Sequence, residues 1–292
     1  MIGESIMVRF GPAGTPLSFH QKGFRTQLQI PEYLKEFSLN AFEYQCGRGV
    51  RISQESAQAL KEAAKPYDIQ LSVHAPYYIS LSSTDPQKRE NSIDYIEKTA
   101  IAAAAMGAER IVVHSGSCAS ISRQAALELA KETLKKAQQR LDEKQLSQIH
   151  ICPETMGKVN QLGDLKEVLE LCKVDERLIP CIDFGHLNAR SFGGIQSQSD
   201  YISILNEIEQ QLGEERLRFF HAHFSKIEYT KTGGEKQHLT FSDTVYGPEF
   251  EPLAELIAKR KLSPTFICES AGTQAEDAQF MREQYLYYCS QE

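Results

Sequence analysis

Short β-branched or aromatic runs alternate with longer stretches of helical period from one end of the chain to the other. That is the pattern of consecutive βα units. Eight runs read as strands: Met7–Phe10, Ala41–Gln45, Gln70–His74, Arg110–His114, Gln148–Glu154, Ile179–Asp183, Leu217–Phe224 and Thr265–Glu269, with seven helical stretches between them. Ser53 precedes Ala57, Leu60 and Ala64 on one helical face, and Ser122 opens a stripe of Ala126, Ala130, Leu134, Ala137 and Leu141. Asn91 precedes Ile93, Ile96, Ala100 and Ala104, and Gly107 is expected to stop that helix. Asp164 and Glu167 have capping-box spacing, and Pro252 suits a first helical turn. Such stripes are faces that pack on a sheet. No repeat or Pro/Ser-rich linker divides the chain. The expectation is an α/β fold, one (βα)8 TIM-barrel domain over residues 1–292. The longest irregular stretch, Ser225 to Glu251, follows the seventh strand and is expected to lie as a loop over the catalytic face.

Composition narrows the class. Of 292 residues, 41% are hydrophobic and 24% charged, which excludes disorder and a disulfide-dense miniprotein. No run approaches the ~18 apolar residues of a membrane span, and the first residues lack the basic flank and apolar run of a secretory signal. Seven cysteines, odd in number and without a Cys-x-x-Cys pair, point to reduced thiols and a cytoplasmic protein. The net charge of −7 argues against a generally basic nucleic-acid binder. It leaves room for a cleft made positive by metal ions. The basic stretches Lys131–Arg140 and Lys259–Lys261 fall on helices and read as solvated faces.

Barrel enzymes carry their chemistry where strands end. Glu43 lies on the second strand, and the third and fourth strands end at His74 and His114. The fifth and sixth end at Glu154 and Asp183, with His186 three residues on. His221 and His223 lie on the seventh, and Glu269 ends the eighth. Five of the eight histidines (His74, His114, His186, His221 and His223) thus gather at strand ends. Unpaired, such a cluster would be costly in desolvation and repulsion. Imidazole with carboxylate and without thiolate suits zinc or manganese in hydrolytic or Lewis-acid work.

Six segments run in order from the third strand to the eighth: His74-Ala-Pro-Tyr77, Val112-Val113-His114-Ser115-Gly116, Pro153-Glu154-Thr155, Asp183-Phe184-Gly185-His186, His221-Ala-His-Phe-Ser225-Lys226 and Cys268-Glu269-Ser270. With these the chain resembles the endonuclease IV family of apurinic/apyrimidinic endonucleases, within the xylose-isomerase-like barrel superfamily. The resemblance implies a DNA-repair enzyme that hydrolyses the phosphodiester 5′ to an abasic site of duplex DNA by a metal-bound hydroxide. It implies His74, His114 and Glu154 on a first zinc ion, with Glu154 the catalytic bridge to a second. Asp183, His221 and Glu269 would complete the second, and His186 and His238 would serve a third. Two departures stand out. Lys236 occupies the place of the family's third-metal aspartate, and His223 the place of an asparagine. Two firmly held ions are therefore expected, with a third weak or differently coordinated, for which Glu235, Asp243 or His223 are the available donors. The family pattern also implies Tyr77, Tyr78 and Arg48 as DNA contacts. No membrane and no obligate protein partner are expected.

Two other functions fit parts of the pattern. A single-metal sugar isomerase or epimerase of the same superfamily would need only Glu154, Asp183, His221 and Glu269. It would leave His74, His114, His186 and His238 without a purpose. A catalytically inactive binding barrel would explain Lys236.

Overall fold

The computed structural model describes residues 7–118 and 120–291. In chain order its strands are β1 Arg9–Pro12, β2 Ala41–Gln45, β3 Gln70–His74, β4 Arg110–His114, β5 His150–Glu154, β6 Cys181–Asp183, β7 His221–Phe224, β8 Ile227–Thr230, β9 Gly234–His238 and β10 Thr265–Cys268. Eight of them form one parallel sheet in the order β1-β10-β7-β6-β5-β4-β3-β2. A parallel bridge between Ala13 and Glu43 joins the two end strands, and the Gly14 amide donates to the Glu43 carbonyl at 2.9 Å. The sheet is thereby a nearly closed TIM barrel, with β10 as its eighth strand. At the seam, Gly11 is there because nothing larger fits. A Cβ on it would lie 1.8 Å from the Ala41 carbonyl oxygen.

The eight barrel strands are largely buried on both faces, as a parallel sheet covered by helices requires. Outside the barrel, Ile111, Val113, Ile151, Ala222 and Phe266 belong to the main hydrophobic core shared with the helices. Within it, Val112, Cys152, Ile179 and Cys181 make a small apolar cluster of their own.

Most local signals operate as read. Ser53 and Ser122 cap the helices Gln54–Ala64 and Arg123–Glu143, and Gly107 closes Pro86–Met106. The Asp164/Glu167 capping box starts Leu165–Cys172. Other boundaries move. Asp85, not Asn91, caps Pro86–Met106, because Pro86 with its preset φ serves in the first turn. Leu217 and Arg218 are helical: Gly213 is followed by Glu214 and Glu215, acids suited to a helix start, and β7 begins only at His221.

Residues 239–250 form neither helix nor strand, but the first half of the stretch after β7 is not the loop expected. It folds into the antiparallel hairpin β8–β9, joined by residues 231–233. Gly234 follows with φ of +77°, and its backbone sits so near Gly157 that a Cβ would lie 2.3 Å from that carbonyl. A short, glycine-bearing connection between alternating residues is a hairpin signal that the glycine content obscured. No helix among the described residues is long and apolar enough to cross a membrane. The described cysteines are free thiols.

Candidate metal centre

Strand alternation turns every second side chain inward, and at or beside the C-terminal ends of the strands three groups combine histidine with carboxylate, next to a fourth group of Cys181, His221 and His223. In the first, Nε2 of His74 and Nε2 of His114 both lie 3.4 Å from Oε2 of Glu154. The second gathers Glu154, Asp183, His223 and Glu269, with His223 Nδ1 2.9 Å from Glu154 Oε1 and 3.6 Å from Glu269 Oε2. The third holds His186, Glu235 and His238, with His186 Nε2 3.5 Å from Glu235 Oε2. Glu154 is common to the first two.

The donors are held in orientation before anything binds. Nδ1 of His74 donates to the Ala75 carbonyl at 2.8 Å, and Nδ1 of His186 to the Thr155 carbonyl at 2.9 Å. Nδ1 of His238 is hydrogen-bonded to the Ser225 hydroxyl at 2.8 Å. In each case Nε2 is left free to face its cluster, the arrangement usual behind metal-binding imidazoles. Asp183 caps the following helix with Oδ1, which accepts from the His186 amide at 2.7 Å. Its Oδ2 and Oε2 of Glu154 are buried and accept no hydrogen bond. Two buried carboxylate oxygens without a donor, ringed by neutral-capable imidazoles, fit divalent cations.

Burial and mutual charge set the titration of this rim. Burial pushes His114 down to about 3 and His238 to about 4. Burial likewise raises Glu269 to about 7. It also works against a charged Glu154, but His223, His74 and His114 outweigh it and hold that carboxyl well below the usual range. Burial opposes a charged His186 as well, yet Asp183, Glu154 and Glu235 lift it to about 9.

The geometry corrects the expected ligand sets twice. His221 is not in the second cluster. Both β7 histidines point inward, but register pairs His223 with Asp183 and leaves His221 level with Cys181, one rung (about 6.6 Å) deeper. There its Nε2 lies 2.9 Å from Glu43 Oε2. His223, read as a departure, stands in the donor position. The other correction concerns Lys236, whose ammonium pairs with Glu228 and faces away from the cluster. A bulge pairs Glu228 with Gln237 and Tyr229 with Glu235, leaving Lys236 as the extra residue. Glu235 and His238 consequently face one side, although they are three apart. Asp243 takes no part: its side chain accepts from the amides of Val245 and Tyr246.

The residues suggested for DNA contact lie at the same rim. Tyr77 is 57% exposed and stacks on His114, with ring centroids 5.6 Å apart. Half-exposed Tyr78 packs edge-on against Tyr95. A Cβ on Gly47 would lie 2.4 Å from the Tyr77 ring, so the Gly47–Gly49 loop and the tyrosine are fitted together. Arg48 on that loop is exposed, and Glu43 is engaged by His221, Ser72 and Gln45 instead.

A barrel that gathers three histidine–carboxylate clusters at one end is an α/β barrel whose rim could hold metal ions. The chain belongs to the xylose isomerase-like TIM barrel family, whose model matches residues 31–284. It is 34% identical over 269 residues to an uncharacterized protein of Methanocaldococcus jannaschii, covering 92% of this chain and 94% of that one. It is 29% identical over 201 residues to a probable endonuclease 4 of Staphylococcus carnosus, covering 66% of this chain and 65%, under two thirds, of the relative. Among solved structures it resembles endonuclease IV from Thermus thermophilus, with a TM-score of 0.67, 19% identity and coverage of 97% and 100%. A D-tagatose 3-epimerase-like protein matches as well, with a TM-score of 0.70, 18% identity and coverage of 97% and 99%. At such identities the two structures speak for the fold alone.

Proposed function

We propose that this protein is a divalent-metal-dependent endonuclease that hydrolyses the phosphodiester 5′ to abasic sites in duplex DNA. The observation that carries the reading is the set of three donor clusters along one rim, the first two joined through Glu154. His74, His114 and Glu154 would hold one ion, Glu154, Asp183, His223 and Glu269 a second, and His186, Glu235 and His238 a third. Divalent ions there, zinc first and manganese as the alternative, would polarise a phosphodiester and activate water at neutral pH. Glu154 would serve both neighbouring ions. The exposed ring of Tyr77, Tyr78 beside it and Arg48 would meet the nucleic-acid backbone at the mouth of the site. Likeness to the probable endonuclease 4 proteins supports the same reading.

A sugar epimerase is the second reading. Glu154, Asp183, His223 and Glu269 alone make a one-ion set, and an epimerase-like barrel shares the fold. It leaves the first and third clusters without a use. The test is a duplex carrying one tetrahydrofuran abasic analogue, incubated with the zinc- or manganese-loaded protein. A nick 5′ to the analogue, which resists β-elimination, is the expected result. No nick together with turnover of a ketose would establish the epimerase instead. Metal bound with neither activity would leave a binding barrel.

A further inference from the structure

Beneath the rim lies a second polar layer, out of reach of solvent. Glu43 of β2 is wholly buried. Its Oε2 lies 2.9 Å from Nε2 of His221 and accepts from the Ser72 hydroxyl at 3.0 Å. Its Oε1 accepts from Gln45 Nε2 at 3.2 Å and lies 3.0 Å from Nε2 of His223, at ion-pair distance though not in line for a hydrogen bond. The opposite nitrogen of that ring, Nδ1, faces Glu154 and Glu269. His223 therefore spans two levels, with Glu43 below and the second cluster above.

A layer that merely fills the barrel would do so most cheaply with apolar side chains, as Val112, Cys152, Ile179 and Cys181 do nearby. A buried carboxylate with two imidazoles directly under a donor cluster calls for another reason. We propose that Glu43 is a positioning residue that holds the His223 ring with Nδ1 turned to the second cluster, and that His221 and Ser72 fix Glu43 in turn. A carboxylate 3.0 Å behind a ligating imidazole favours a proton on the near nitrogen, Nε2, and so leaves the far one as the basic donor. The inference rests on the metal-dependent reading above and assigns His221 to support, not to ligation.

The test is metal affinity, by chelator competition on the zinc-loaded protein and by absorption of the cobalt-substituted one. Glu43→Gln should weaken one equivalent by roughly 10- to 100-fold, the usual effect of losing such a partner, and leave the others unchanged. In a His223→Ala background, Glu43→Gln should cause no further loss, because its effect runs through that ring. Ser72→Ala, a milder change, should weaken the same equivalent by a few fold, and it serves if Glu43→Gln does not fold. Undiminished affinity in both variants, a uniform loss across all equivalents, or additive losses in the double variant would overturn the inference. A native protein that binds no divalent ion would overturn the metal-dependent reading, and this inference with it. Native binding with an unaltered Glu43→Gln profile would overturn the inference alone.

Discussion

The third cluster offers a direct test of the geometry, because the chain order and the fold point to opposite outcomes. Asp-x-His places two donors on one face of an uninterrupted strand, and Lys236 breaks that pattern. On chain order alone, Lys236→Asp should complete the set and tighten a third ion. In the fold, the bulge sends Lys236 to Glu228 and brings Glu235 in beside His186 and His238. Lys236→Asp should then leave metal affinity unchanged, since its side chain lies on the other face. The loss of an exposed ion pair there is expected to matter little. Glu235→Ala should be severe. Four-ligand zinc sites bind with roughly 10–16 kcal/mol, about 2.5–4 kcal/mol for each ligand. At about 1.4 kcal/mol per decade, losing one of three protein donors should weaken the third equivalent by roughly 10²- to 10³-fold. Chelator competition on zinc-loaded native, Lys236→Asp and Glu235→Ala proteins reads both values. Tightening of one equivalent by Lys236→Asp, or an unaffected Glu235→Ala protein, would refute the bulge as the device that completes the cluster.

Three further outcomes are expected. Glu154→Gln should lower abasic-site cleavage on the order of 10³-fold or more, while circular dichroism shows the fold retained, because the shared carboxylate between two cations is lost. Gly11→Ala should cost about 3 kcal/mol or more in urea unfolding, since the new Cβ would meet the Ala41 carbonyl at the barrel seam. For Glu167, burial works against ionisation, but Arg123 and the amides of Gly163 and Asp164 hold the carboxyl below its ordinary value. A depressed carboxylate stabilises fully above the unfolded value of about 4.3, and that contribution is lost as pH falls through the folded value. The stability difference between native protein and Glu167→Gln should therefore narrow on acidification below about pH 4.3. A difference that holds constant or widens would contradict the pairing.

Much of this molecule was legible along the chain. The alternation of β-branched runs with apolar helical stripes defines the barrel, because period two and period 3.6 are local properties of covalent geometry. Strand ends marked His74, His114, Glu154, Asp183, His186 and Glu269 as neighbours for the same reason, since parallel strands of one barrel finish on one face. Height along the barrel axis was not legible. His221 and His223 both face inward by alternation, and only hydrogen-bonded register with β6, forty residues away, decides which reaches the rim. The choice between Glu235 and Lys236 likewise belongs to the pairing of β9 with β8, where a single extra residue reverses which side chains share a face. Glu43 shows the same limit, for an acid on the second strand acquires its role only beside histidines of the seventh. Direction in or out is written in a few consecutive residues, whereas register depends on the packing of segments far apart in sequence.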